Sequence, residues 1–276
     1  MRAIIFFLVL ITKYVSSYLI VSIQDRHPLC HLSHSSSYMS YDTEYTRAKA
    51  SYNDGMLSLN EELTSYCFHK LLDDFDIIFK HLRHNTGNDF EYDIWPSHAI
   101  ADYWGSSLFA TDEIRYPKDM RTMYKAENIF EEYSGFKNPD LLLLLKNNSI
   151  DNILIIGSLL EYTVYHTSLD AKNLGFNVAL RVDLIESLHP INIANQTIDT
   201  LYENDIDIFH TNCEMESFMK TNKTAIFMMN FINDFYHVNG SMVNQGNDGT
   251  KTIRDLNNFF DFIKYMRLDM YISNEL

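Results

Sequence analysis

Apolar residues are spaced in two ways along this chain. Residues 18–23 (YLIVSI), 153–156 (ILII) and 177–182 (NVALRV) are short, continuous and rich in β-branched side chains, which predicts strands buried on both faces. Residues 75–79 (FDIIF) predict a further strand. Leu59, Leu63, Cys67 and Leu71 recur at helical spacing, as do Ile253, Leu256, Phe260 and Ile263, and a Leu-rich helix is predicted from Leu141. Between them, residues 26–56 are polar, rich in Ser, Tyr and His, and read as a long loop.

The clearest stretch starts at the 153–156 strand. Gly157 marks a turn, a helix runs to about Leu174, Gly175 stops it, and the 177–182 strand follows. Strand, helix and strand in about thirty residues form a βαβ unit, so the expected class is α/β with a parallel sheet. Functional groups in such sheets gather beyond the carboxyl ends of the strands. Candidates therefore fall just after Val21, Phe79 and Ile156.

Composition narrows the function. The 276 residues allow one ample domain or one domain and part of another, and 46% apolar content suits a packed core. A net charge of -15 argues against nucleic-acid binding. Met1 and Arg2, the apolar run 3–11 and the small residues Val15, Ser16 and Ser17 read as a signal peptide over 1–17, which implies secretion and no membrane anchorage after cleavage. N-glycosylation sequons at Asn147, Asn195, Asn222 and Asn239 agree with that route. Cys30, Cys67 and Cys213 leave room for one disulfide, whose pairing the sequence does not give.

Four segments then carry a resemblance: LIVSIQDRH (19–27), IWPSHAIADYWGSS (94–107), MYKAENIFEEYSGF (123–136) and the stretch 152–183 with its G-S-L-L-E-Y-T-V-Y-H-T core. In this order they resemble the nicotinamidase, or isochorismatase-like cysteine hydrolase, family. The resemblance implies a three-layer α/β/α domain over 18–219 with a mostly parallel six-stranded sheet. It also implies a chemistry in which a cysteine attacks a carboxamide, an aspartate handles the proton, a lysine stabilises the charges, and a divalent metal held by an Asp-x-His pair and further histidines grips the pyridine nitrogen.

Matched residue by residue, Lys125 is retained, whereas the acid position falls on Ser22 and the nucleophile position on Thr163. Asp25 stands three residues beyond Ser22, and its side chain is expected to point elsewhere. Trp95 and Leu159 are expected to line the pocket, with Leu159 closing it. Of the metal ligands only His98 matches; Arg83 and Asn85 fall on the other positions, with His81 and His84 nearby. The zinc-like metal is therefore expected to be lost, and no other cofactor is implied. Residues 220–276 resemble the family's opening segment a second time, with N-D-F at Asn233, Asp234 and Phe235 and a second strand at 268–273, and are read as a partial repeat whose acid position is Asn230. The chain is expected to be a secreted protein lacking hydrolase activity that binds a pyridine-type ligand or a partner; a hydrolase using Thr163 and Lys125 is the alternative. A homo-oligomer is left open.

Overall fold

A computed structural model describes residues 18–31, 33–34, 46–53, 56–58, 90–129, 132–242 and 250–273. The expected signal peptide, the helix at 59–71, the strand at 75–79 and residues 81–85 with His81, Arg83, His84 and Asn85 lie outside the described residues.

The class is α/β, as expected. Six parallel strands make the main sheet: β1 (Tyr18–Asp25), β5 (Arg121–Lys125), β6 (Asn152–Ser158), β7 (Asn177–Glu186), β8 (Asp207–Phe209) and β9 (Thr224–Met229), in spatial order β5-β1-β9-β6-β7-β8. A second, antiparallel sheet joins β2 (Thr46–Asn53), β3 (Met56–Ser58) and β4 (Phe90–Ile94), where a loop was expected over part of this stretch.

Helices cover both faces because the strands alternate apolar side chains with period two. On one face Val21, Ile23, Ile153, Ile155, Phe227 and Met229 meet α1 (Pro139–Asn147), α2 (Tyr165–Asn173) and α3 (Ile191–Glu203) through Leu141, Leu145, Val164, Ala171 and Leu201. On the other, Ile20, Leu154, Ile156, Ile226 and Met228 meet α4 (Asn212–Thr221) and α5 (Thr250–Ser273) through Met215, Met219, Leu256, Phe259 and Ile263. Local chemistry sets the helix starts. Asn138 caps α1 ahead of Pro139, and Thr211 with Glu214 forms a capping box on α4.

The boundary expected at 219/220 does not separate two structural units. Strand β9 pairs along one side with β1 and along the other with β6, and every one of its residues is buried. A six-residue apolar strand with two hydrogen-bonding edges is most stable where both edges are paired, and the gap between β1 and β6 provides that. Residues 268–273, expected as a strand, continue α5 as helix. Gly157 fixes how closely β6 meets β9: its φ is +114°, and a Cβ there would lie 2.1 Å from the carbonyl oxygen of Met229.

Candidate functional site

The carboxyl ends of β5, β1, β9 and β6 converge on one pocket, lined by Asp25, His27, Trp95, His98, Tyr133, Leu159, Tyr162, Thr163, Asn230, Phe235 and Met242. Trp95 and Leu159 line it as expected. Its free volume is only about 20 Å³, room for about one water.

Asp25, the last residue of β1, lies opposite Lys125, the last residue of β5, in the strand register. Their side chains form a buried ion pair, and the Lys125 ammonium also donates to the Glu132 carbonyl at 3.2 Å. The expectation that Asp25 points elsewhere is thus corrected: its oxygens are held by Lys125 and by Asn230 Nδ2, the latter at 2.6 Å. Ser22, taken as the acid position, does not line the pocket; it lies three residues up the strand, where its hydroxyl accepts from Gln24 Nε2 at 2.9 Å.

Asn230 follows β9 in the left-handed region at φ 50°, a conformation that asparagine tolerates. Its Oδ1 accepts from the Asp25 backbone N–H at 2.8 Å, and its Nδ2 donates to Asp25 and, at 3.3 Å, to Thr163 Oγ1. Read from sequence as belonging to a separate repeat, it stands at the centre of the one site. Thr163 is buried in a π-helical turn, Leu160–Val164, that leads into α2. One turn later the Thr167 hydroxyl accepts from the Gly135 N–H at 2.9 Å, which fixes the Y-S-G-F turn beside the pocket.

The histidines form the second half of the site. His27, His31, His34 and His98 are all buried, with ring centroids 4.1–5.3 Å apart among the measured pairs. His27 Nδ1 lies 3.2 Å from the Ala126 carbonyl, and His98 Nδ1 lies 2.8 Å from the Pro96 carbonyl. A carbonyl only accepts, so each Nδ1 carries the proton and each Nε2 keeps its lone pair. Burial pushes the pKa of His27 and of His34 well below the usual imidazole range, with neighbouring histidines adding to it. Burial lowers that of His98 as well.

One ring nitrogen from each of His27, His34 and His98 falls within 4.8 Å of the others, so this triad could hold a metal ion. The candidate metal partners of His98 thus stand in the loop after β1, so among the described residues a histidine triad remains where loss of the metal site was expected. The sequence signal for His27 was the Asp25-Arg26-His27 spacing, hidden by assigning that strand the acid. His34 had no signal beyond being one of several histidines in a polar stretch.

The N-D-F motif supports this half from behind. Asp234 Oδ2 accepts from the Ala99 N–H at 2.7 Å, Asn233 Nδ2 donates to the Trp104 carbonyl at 2.8 Å, and Phe235 packs edge-on against His98. The loop carrying Trp95 and His98 is thus held by residues after β9.

The nicotinamidase of Saccharomyces cerevisiae is 28% identical over 98 residues, which is 33% of this chain and 45% of the yeast enzyme, so the match spans less than half of that relative's length. Among solved structures, the pyrazinamidase of Pyrococcus horikoshii in complex with zinc superposes with a TM-score of 0.44 at 23% identity, covering 70% of this chain and 75% of that one. The Acinetobacter baumanii nicotinamidase superposes with a TM-score of 0.49 at 14% identity, covering 71% and 97%. The isochorismatase domain family matches residues 122–204, from β5 through α3, so this chain carries an isochorismatase-type segment and is similar to nicotinamidases.

Proposed function

We propose that this chain is a nicotinamidase-related protein that keeps a metal-ready pocket for a small pyridine-type ligand but does not hydrolyse its amide. One observation carries the reading: the Asn230 amide stands between Asp25, the carboxylate that lines the pocket among the described residues, and the Thr163 hydroxyl, donating to both. An amide nitrogen has protons to give and accepts none. Asp25 therefore has no path through Asn230 to the Thr163 proton, and a threonine without a base is a poor nucleophile. Lys125 does not take that role while its ammonium is held by Asp25 and the Glu132 carbonyl.

The pocket wall also bears on the ligand. Trp95 packs edge-on against Tyr162 at 5.0 Å between centroids, and the Tyr162 hydroxyl lies 3.0 Å from His189 Nε2. The free volume of about 20 Å³ has no room for a pyridine ring, so on this reading ligand entry requires the aromatic wall to move. A divalent metal held there supplies a Lewis-acidic anchor for that nitrogen. Secretion fits the disulfide formed by Cys30.

The second reading, amide hydrolysis using Thr163 and Lys125, is favoured by the Asp25 carboxylate, which sequence alone did not place in the site. Ammonia release from nicotinamide by zinc-loaded protein separates the two. The unaltered chain is expected to release none, while Asn230→Asp with Thr163→Cys puts a carboxylate beside a thiol and gains turnover. Release by the unaltered chain that disappears in Thr163→Ala would overturn the proposal.

A further inference from the structure

We infer that this chain has a second binding site, a cleft where β1 meets the edge strand β5, and that it takes a neutral, polyhydroxylated molecule of monosaccharide size. No residue of the cleft lines the pocket around Thr163, so the two sites are tested separately.

The strand pattern creates the cleft. Successive side chains of a strand point to opposite faces, so Ser22 and Gln24 lie on the face away from Asp25. The register sets Ser22 beside Thr122 and Gln24 beside Tyr124. Elsewhere this face is apolar, through Ile20, Leu154 and Ile226, and packs on α4 and α5. At these four positions it turns polar. A cleft of about 340 Å³ opens at Gln24, Thr122 and Tyr124, lined also by Ser106, Ser107 and Leu108, whereas the pocket beside Thr163 holds about 20 Å³. Small-molecule sites span roughly 300–1,000 Å³, and this cleft stands at the small end of that range.

The lining selects the occupant. Gln24 is buried and its Nε2 donates to Ser22 Oγ at 2.9 Å, while none of the hydrogen bonds among the described residues ends on its Oε1. That acceptor is left for a donor in the cleft. Ser107, Thr122 and Tyr124 add hydroxyls, and the Ser106 hydroxyl, which donates to the Tyr103 carbonyl at 2.9 Å, still accepts. Groups that donate and accept in turn match the hydroxyls of a sugar. The Tyr124 ring and Leu108 supply the apolar surface on which the C–H face of a sugar packs.

Charge does not favour an ion. The Arg26 guanidinium binds Asp102 at 2.7 Å and Glu127 at 3.1 Å, so one cation is already shared between two carboxylates. An anion would meet that surplus negative charge and the chain's net charge of -15. A metal cation would have to displace the guanidinium from both carboxylates. A neutral ligand meets neither cost.

The full chain is titrated with methyl α-D-glucopyranoside, methyl α-D-mannopyranoside and methyl β-D-galactopyranoside, with binding read by saturation-transfer NMR and affinity by calorimetry. At ordinary efficiency a ligand of about a dozen non-hydrogen atoms binds with a Kd on the order of 1 mM, and at least one glycoside is expected to do so. Thr122→Trp fills the cleft from an exposed strand position and is expected to weaken binding more than about tenfold. Gln24→Met removes the amide acceptor at similar volume and is expected to weaken it about 3–10-fold. Tyr124→Ala, at an exposed position, is expected to do the same and keeps the test open should Gln24→Met fail to fold, as judged by circular dichroism. The site is refuted if none of the glycosides binds below about 10 mM, or if any folded variant binds as tightly as the unaltered chain. Inorganic phosphate binding more tightly than every glycoside, and lost in Thr122→Trp, would overturn the assignment to a neutral ligand.

Discussion

Acid should unfold the metal-free protein well above the range where carboxylates titrate. His27, His34 and His98 are each shifted below the usual imidazole value of 6.5, chiefly by burial. The sign follows from proton counting. Below pH 6.5 the unfolded chain protonates these three rings while the folded chain keeps them neutral, so the unfolded state binds more protons and stability falls as pH falls. Each ring contributes about 1.4 kcal/mol per pH unit in the window between 6.5 and its lowered folded value. Three rings give at most about 4 kcal/mol per unit, reached only where all three are protonated in the unfolded chain and neutral in the folded one, against a total stability of about 5–15 kcal/mol for an ordinary domain. The assay is urea unfolding in chelator, followed by circular dichroism at half-unit steps from pH 7.5 to 5. His34→Phe should reduce the slope by about a third. A flat profile over that range, or a slope unchanged in His34→Phe, would refute the argument that these imidazoles are buried neutral.

Three further outcomes follow from the packing. Asp25→Ala leaves the Lys125 ammonium buried alone and is expected to cost about 3–5 kcal/mol in urea unfolding, while adding Lys125→Met recovers most of the loss. Asp234→Ala removes the acceptor of the Ala99 N–H and should cost about 1.5–3 kcal/mol, with a change in tryptophan emission because the released loop carries Trp95 and Trp104. Gly157→Ala drives a methyl into the Met229 carbonyl and should cost about 3 kcal/mol, read as a lowered thermal midpoint; a midpoint within error of the original would show that β6 and β9 separate more readily than their register implies.

What sequence could and could not show divides along the difference between local and spatial order. The βαβ unit was legible because each of its signals is local: β6, Gly157, α2, Gly175 with φ at +91°, and β7 all depend on neighbours within a few residues. Lys125, Trp95, His98, Leu159 and Thr163 were singled out through the family resemblance; Trp95, His98, Leu159 and Thr163 line the pocket, and Lys125 pairs with its Asp25. Sequence order set Ser22 beside Thr163, but a parallel sheet need not be ordered as its chain is. β1 comes first in sequence and was assigned the acid, yet β9 lies between it and β6, so Asn230 rather than Ser22 faces Thr163. The same displacement explains the apparent second copy, since 224–242 resembles the family's opening segment better than 18–23 does, and the fold uses it as one strand of a single sheet. It also revises the chemistry. A site read as having lost carboxylate and metal together instead holds a carboxylate bound to lysine and three histidines that converge, with the Asn230 amide between that carboxylate and Thr163. On the reading proposed above, Asn230→Asp with Thr163→Cys is the decisive variant: turnover gained there over the unaltered chain would trace the difference to those two side chains, and none gained would trace it to the aromatic wall around Tyr162.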